Sequence, residues 1–478
     1  VNQQQFSPQN KIWFLGLFVG LSGFLLTLIL PPPKNFSLEA WHTLGVGFLM
    51  AAWWMMEVAP LAITALLPLI LMPLLGINSL SETASAYGDP LIFLFLGGFL
   101  MAQAMQRWGL HQRLALNLIV RTGTKPAALV GGFMVATAFL SMWVSNTATA
   151  MMIYPIGVST LSLLRNEKGE FRDPCLPIAL MLSIAYAANI GGVATLIGTP
   201  PNVLAAAFIE KNFNISIPFW RWMLFGLPLA ACLLVVAYFL LTRWVFTLGK
   251  EDIAGVREHI REQITHLGPM RREEKTVAAV LGIVVFLWLF KPILGDWIAS
   301  FSDTAVALIG VITLFLWPVD LKQKKFLLSI QEFKALPWEV LILFGGGLSL
   351  ASSIESSQLT VGLSQMAHHF QFLPAILLFL SFATMTLLLS ELASNTATVA
   401  VLLPVVSSFA VGLEADPMPF MIAITLASSC AFMMPVGTPP NAIIFGSGWV
   451  KVKHMVKAGV WLNLASLILI TIIILIVF

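Results

Sequence analysis

Ser141-Met142-Trp143-Val144-Ser145-Asn146-Thr147-Ala148-Thr149 recurs as Ser390-Glu391-Leu392-Ala393-Ser394-Asn395-Thr396-Ala397-Thr398. Farther along, Gly198-Thr199-Pro200-Pro201-Asn202 recurs as Gly437-Thr438-Pro439-Pro440-Asn441. Pro155 and Pro404 stand at the same offset behind the two Ser-Asn-Thr motifs, and Leu96-Gly97-Gly98 is answered upstream by Phe344-Gly345-Gly346. Polar motifs repeated in the same order mark an internal duplication. The two units are roughly 40–246 and 276–478.

The surroundings of these motifs decide the class. Of 478 residues, 58% are hydrophobic and 10% charged, against about 25% charged in soluble proteins. Mean hydropathy is +0.89. This composition excludes a soluble enzyme, a disordered chain, a nucleic-acid binder and a secreted disulfide scaffold. Cys175, Cys232 and Cys430 are scattered, and the seven His residues show no metal-binding spacing. No cleavable signal is expected at the start; the apolar run 12–30, ended by Pro31-Pro32-Pro33, reads as a first membrane helix.

A helix needs about 20 apolar residues to span a bilayer. Eleven stretches qualify: 12–30, 40–57, 60–77, 90–106, 178–210, 219–246, 276–294, 303–318, 338–355, 418–447 and 457–478. Two others, 127–163 and 373–412, are too long for one helix and carry a Ser-Asn-Thr cluster in the middle. They read as re-entrant helical hairpins, whose irregular tips are tolerated where protein or a watery cavity covers them. The expected fold is an all-α polytopic membrane protein of eleven transmembrane helices and two re-entrant hairpins. Each unit holds five crossings, an odd number, so the repeat is inverted, with binding expected at the midplane. With the N-terminus cytoplasmic, only Lys34, Lys211, Arg221 and Lys291 of the 26 basic residues fall outside, which obeys the positive-inside rule. The C-terminus then lies outside. The polar stretch 249–275 reads as an amphipathic helix or linker on the cytoplasmic side.

The motifs suggest a chemistry. Thr199 and Thr438 can N-cap half-helices that begin at Pro200 and Pro439, since Pro suits the first turn and breaks what precedes it. Ser145 and Ser394 can N-cap the second arms of the hairpins. Four helix N-termini then lie inside the membrane, each with free N–H groups and roughly half a positive charge. Aimed at one point, they make an anion site without Lys or Arg. Two similar motif pairs suit an anion with two carboxylates. The loops also offer hydroxyl, amide and carbonyl oxygens, hard ligands that suit Na+. Bound Na+ would offset the cost of desolvating a dianion. Glu391, at membrane depth, is a candidate for proton carriage or for tuning a cation site, or simply bonds neighbouring backbone; Met142 holds its place in the first unit.

The paired Ser-Asn-Thr and Thr-Pro-Pro motifs and the layout resemble the divalent anion/sodium symporter family, over nearly the whole chain. The resemblance implies substrate contacts at Asn146, Thr147, Thr199, Pro200, Asn395, Thr396, Thr438 and Pro439. It implies one sodium site at Ser141, Ser145, Asn146 and Gly198, and a second at Ser390, Ala393, Asn395 and Gly437, with several backbone carbonyls as ligands. It also implies a homodimer in a bacterial-type inner membrane. Each protomer would have scaffold parts (1–125 and 276–371), transport parts (126–248 and 372–478) and a linker (249–275). The transport parts would move as an elevator. The expected activity is Na+-coupled import of a C4 dicarboxylate such as succinate, fumarate or malate, with no enzyme activity. Alternatives are citrate, 2-oxoglutarate or sulfate on the same scaffold, a proton-coupled carrier or an exchanger. A channel or a membrane-embedded enzyme is the reading from another class; no nucleophile–base pair or metal cluster supports the enzyme.

Overall fold

A computed structural model describes residues 8–164, 171–253, 255–294 and 301–478. Arg165 and Lys168, two of the basic residues assigned to the cytoplasmic side, lie outside the described residues.

The duplication is visible helix by helix. Leu38–Met55, Leu61–Leu74, Pro90–Arg107 and Leu110–Val120 are followed by the arms Pro126–Ser141 and Asn146–Ser162. Then come the interrupted pair Cys175–Val193 and Pro200–Phe213 and the long helix Phe219–Phe239, extended to Trp244 by a π turn. The second unit repeats this order with Arg272–Phe290, Asp303–Leu316, Trp338–Ser356 and Leu359–Ala367. It continues with the arms Ala375–Ser390 and Asn395–Gly412, the pair Pro417–Ser428 and Pro439–Gly446, and Val452–Val477. The extra first helix, Pro8–Ile29, lies along Leu38–Met55, where Thr27 fits against Gly45 and Trp13 donates to the Val58 carbonyl at 2.7 Å.

Among the described residues, seven helices are long and apolar enough to cross a membrane unaided, or eight if the pair Leu359–Phe370 and Ala375–Ser390, bent by 119°, is one span. The other expected crossings are helical but short, charged at one end, or broken. The segment 60–77 is one example. Its helix stops at Thr64 and resumes at Leu67, because the Pro68 ring would collide with the carbonyl four residues earlier. The Tyr87 hydroxyl donates to the Ala65 carbonyl at that break.

The glycine pairs lock the units together. A Cβ on Gly97 would sit 2.8 Å from Ala307, and one on Gly346 would sit 2.4 Å from the Ala65 carbonyl oxygen. Each glycine therefore packs against the short second helix of the opposite unit, the close approach expected of small residues in membrane bundles.

Three elements went unread in the sequence. Leu110–Val120 and Leu359–Ala367 each follow a residue in the left-handed region, Gly109 at φ 73° and Gln358 at φ 58°. Their sequences are too short and too polar to register as spans. A two-stranded ribbon, Pro318–Asp320 with Lys325–Phe326, is a minor departure from an all-α chain. The stretch 249–275 holds the amphipathic helix Val256–Leu267, which buries Val256 and Ile260. The next helix starts at Arg272, earlier than its apolar run suggests, and Glu274 there is bound by Arg113 at 2.7 Å.

Candidate functional site

The two Thr-Pro-Pro motifs build the same object. The helix Cys175–Val193 stops, residues 194–199 run unwound, and a new helix begins at Pro200. In the second unit the helix stops at Ser428, residues 429–438 run unwound, and the helix resumes at Pro439. The Thr residues at the restarts have nearly identical backbones, φ −142° and ψ 143° at Thr199, φ −143° and ψ 149° at Thr438. Both are N-caps by position. The Thr438 hydroxyl accepts from the Asn441 amide at 3.4 Å, whereas the Thr199 side chain makes no capping bond.

The asparagine closing each motif does more than the sequence suggested. The Asn202 side-chain nitrogen donates to the carbonyls of Gly192 at 3.1 Å and Thr195 at 2.8 Å. Asn441 repeats the pattern with Ala431 at 3.1 Å and Met434 at 3.0 Å. Carbonyls at and beyond the stop of a helix lack intrahelical partners, and these two side chains supply donors there. The repetition of Asn in both motifs was the available signal.

The hairpin tips meet the breaks. In the first, Ser145 is the N-cap of Asn146–Ser162 and its hydroxyl accepts from Ala148 at 3.4 Å. The Ser141 hydroxyl lies 2.8 Å from the Asn146 side-chain oxygen and 2.6 Å from the Ala188 carbonyl. One hydroxyl proton serves three clustered oxygens there, a donor set of the kind that suits a small hard cation. Gly192 makes room for it: a Cβ at this position would lie 2.2 Å from the Asn146 oxygen. Gly198 in turn lies against Gly192, with its Cβ position 2.5 Å from the Gly192 carbonyl oxygen. Thr195 ties the break to the tip by donating to the Met142 carbonyl at 2.5 Å. Ser141, Asn146 and Gly198 are thus brought together through Gly192, a residue the sequence reading passed over.

In the second hairpin Ser394 is the N-cap of Asn395–Gly412 by position, without a side-chain capping bond. The Ser390 hydroxyl and the Asn395 side-chain oxygen are buried and have no hydrogen-bond partner among the described residues. Burying oxygen without a partner is costly, and two such atoms beside a break fit a cation ligand set. Gly437 lies close, its Cβ position 3.2 Å from the Ser390 carbonyl oxygen. Ala393 is buried between Ser390 and Asn395 on the same turn.

The units cross at this place. The arm Asn146–Ser162 touches the restarted helix Pro439–Gly446, and the arm Asn395–Gly412 touches Pro200–Phe213. Asn189, from the first interrupted helix, donates to the Thr438 hydroxyl at 2.9 Å. The N-termini are thus linked as two tip-and-break pairs joined through Asn189, and the motifs that build them contain no Lys or Arg. Thr199, Thr396 and Thr438 are buried there, Asn146, Thr147, Pro200 and Asn395 are partly exposed, and Pro439 is exposed. Among the described residues no group of His, Cys, Asp and Glu could hold a metal. Two grooves of about 300 and 740 Å³ lie elsewhere and have apolar walls, one lined by Val280, Val284, Leu287, Val306 and Ile309, the other by Leu373, Leu377, Leu380, Leu388 and Leu392.

A sequence profile described as the sodium:sulfate symporter transmembrane region matches residues 10–478. The chain belongs to this family. Membership in the sodium:sulfate symporter family sets it among transporters rather than enzymes. Its relatives include the sodium-dependent dicarboxylate transporter SdcS of Staphylococcus saprophyticus, 37% identical over 99% of this chain and 93% of that one. The SdcS of Staphylococcus aureus strain RF122 is 38% identical, covering 98% and 91%. Two solved structures share the fold. The YdaH transporter of Alcanivorax borkumensis gives a TM-score of 0.58 at 16% identity, covering 97% of both chains. MtrF of Neisseria gonorrhoeae gives 0.58 at 11% identity, covering 99% of this chain and 96% of that one.

Proposed function

We propose that this chain is a secondary active transporter that imports C4 dicarboxylates such as succinate, fumarate or malate together with Na+. The observation that carries the reading is the two linked pairs of helix N-termini, built without Lys or Arg beside orphaned oxygens. Helix N-termini attract carboxylates. With no fixed cation present, the dianion needs Na+ at hand. Asn146, Thr147, Thr199 and Pro200 would hold one carboxylate and Asn395, Thr396, Thr438 and Pro439 the other. Na+ would bind at Ser141, Ser145, Asn146 and Gly198, and at Ser390, Ala393, Asn395 and Gly437. The names of the SdcS relatives support sodium coupling and a dicarboxylate substrate.

The chain crosses the inner membrane eleven times, with two re-entrant hairpins, a cytoplasmic N-terminus and an external C-terminus. The two units then run in opposite directions, as in transporters with inverted repeats. Hairpins, interrupted helices and the long helices after them (126–248 and 372–478) form the transport part. It slides as an elevator against the scaffold (1–125 and 276–371) of a homodimer. Packing of Pro126–Ser141 on Cys175–Val193, and of Ala375–Ser390 on Pro417–Ser428, supports hairpin and interrupted helix moving together. The hydrogen bonding of Glu391, which accepts from five donor contacts, speaks against a proton-carrying role.

The test is radiolabelled succinate uptake into proteoliposomes under an inward Na+ gradient, against a matched K+ gradient at constant pH. Saturable uptake with Na+ alone is expected. Uptake indifferent to Na+ and restored by internal dicarboxylate would establish exchange instead. Competition by unlabelled citrate, 2-oxoglutarate and sulfate ranks the substrates.

A further inference from the structure

The two breaks differ in one respect that the repeat does not explain. The first leaves 194–199 unwound, the second 429–438. Phe432 is unwound where its counterpart Val193 is still helical, so its N–H lacks the partner a continuous helix would give it. It and the next two amides are taken up by one carboxylate. Glu391 Oε1 accepts from the amides of Phe432 at 2.8 Å and Met433 at 2.9 Å, and Oε2 from Met433 at 3.1 Å and Met434 at 2.8 Å. The Asn463 side-chain nitrogen, from the last helix, donates to Oε1 at 2.7 Å. Every contact is a donation to the carboxylate, which is how a buried anion is stabilised. Glu391 is 2% exposed, so without these donors its burial would be prohibitive.

The first unit has an apolar pair in the same places. Met142 stands where Glu391 does, and Ala230 stands four residues past Gly226 as Asn463 stands four past Gly459. The two glycines are equivalent in space. Gly226 lies against the Val193 carbonyl, and Gly459 against the Phe432 carbonyl. Both members of the pair have changed together, and the break beside them is longer. The Glu391 carboxylate also borders the second cation ligand set. A Cβ at Gly437 would lie 3.2 Å from its Oε2, and Ser390 is its chain neighbour.

We infer that Glu391, held by Asn463, is a positioning residue that fixes the second break open and places its carboxylate behind the second Na+ set, making it the tighter of the two. The inference rests on the sodium-coupled reading above. Glu391 does not touch substrate or ion in this account; it acts through the backbone of 432–434 and through its field. A unit charge a few ångströms from a monovalent cation, at the effective dielectric of protein sites, shifts affinity by roughly tenfold or more.

The experiment compares the full-length wild type with E391Q and N463A in proteoliposomes. Succinate uptake is measured against Na+ concentration, then against succinate at saturating Na+. E391Q is expected to raise the half-saturating Na+ concentration by roughly tenfold while the KM for succinate at saturating Na+ stays within about twofold. N463A, which keeps the charge but frees the carboxylate, is expected to raise it by about threefold. A wild-type Na+ dependence in E391Q, or a fall in maximal rate alone, overturns the inference. If E391Q is not recovered folded, N463A decides: a shifted Na+ dependence supports the inference and an unshifted one overturns it. Uptake by the wild type that is the same in K+ would instead sink the transport reading, and this inference with it.

Discussion

The side-chain nitrogen of Asn189 donates to the hydroxyl of Thr438 at 2.9 Å, across 249 positions of sequence and from one repeat unit to the other. It also lies 3.5 Å from the Asn441 side-chain oxygen. A single residue of the first interrupted helix thereby sets the N-cap of the restarted helix in the second. Its counterpart by position, Ser428, bonds within its own helix, to Thr425, and to nothing else among the described residues. The link is one-sided.

Asn189→Ala should therefore loosen the second restart more than the first. Removing one partner of a buried hydrogen bond costs about 1–3 kcal/mol. The expected outcome is a lower thermal midpoint in detergent and a raised KM for succinate. An unchanged KM would show that the link is structural only.

Asn202→Ala and Asn441→Ala each strip two carbonyls of their donors. Both should destabilise by about 1–3 kcal/mol and reduce uptake strongly. The two effects should be similar, because the geometry is repeated almost bond for bond. A large effect at one and none at the other would refute the symmetric account.

Gly192→Ala would force a methyl group to within 2.2 Å of the Asn146 side-chain oxygen. Uptake should fall at least roughly tenfold, since misplacement by about an ångström costs that much or more. Gly282→Ala is the control. Nothing lies within 4 Å of its Cβ position, so uptake should be unchanged.

Asn146→Ala and Asn395→Ala should abolish most Na+-driven uptake while leaving the elution profile and helicity of the purified protein intact. The residual uptake should show weakened Na+ dependence. Wild-type-like uptake by either variant would remove that residue from the site.

A pH prediction concerns a peripheral tie. Burial pushes the Glu332 carboxyl up, but the hydroxyl and amide of Ser329 donate to it and Arg107 stands 2.8 Å away, and the net direction is downward. A carboxyl lowered in the folded state stabilises it above the unfolded pKa, and that contribution is lost as pH falls through the folded value. Glu332→Gln should lower the thermal midpoint modestly at pH 7, and the difference from wild type should shrink as pH is taken below about 4.

Much of the architecture was legible because its causes are local or periodic. The breaks near Gly198 and Gly437 follow from Pro200 and Pro439, which prefer a first turn wherever they stand. Those motifs carry the same residues in both units, so the duplication was readable at sight. The helices Leu110–Val120 and Leu359–Ala367 were not, because a short helix after a left-handed residue gives no long apolar run. The break at 65–66 was hidden inside an apolar stretch, although Pro68 was there to be read.

The candidate site divides along the same line. Residue types, their pairing and the absence of Lys and Arg from the motifs are properties of the sequence, and so is the exchange of Met142 for Glu391. What Glu391 does is decided by tertiary structure. Its donors come from Phe432, Met433, Met434 and Asn463, on elements distant in the chain. The fit of Gly192 on Asn146, and the reach of Asn189 to Thr438, likewise depend on how separate helices pack. Local chemistry decides where a helix must stop. Only packing decides which groups meet the N–H and carbonyl groups that the stop leaves bare.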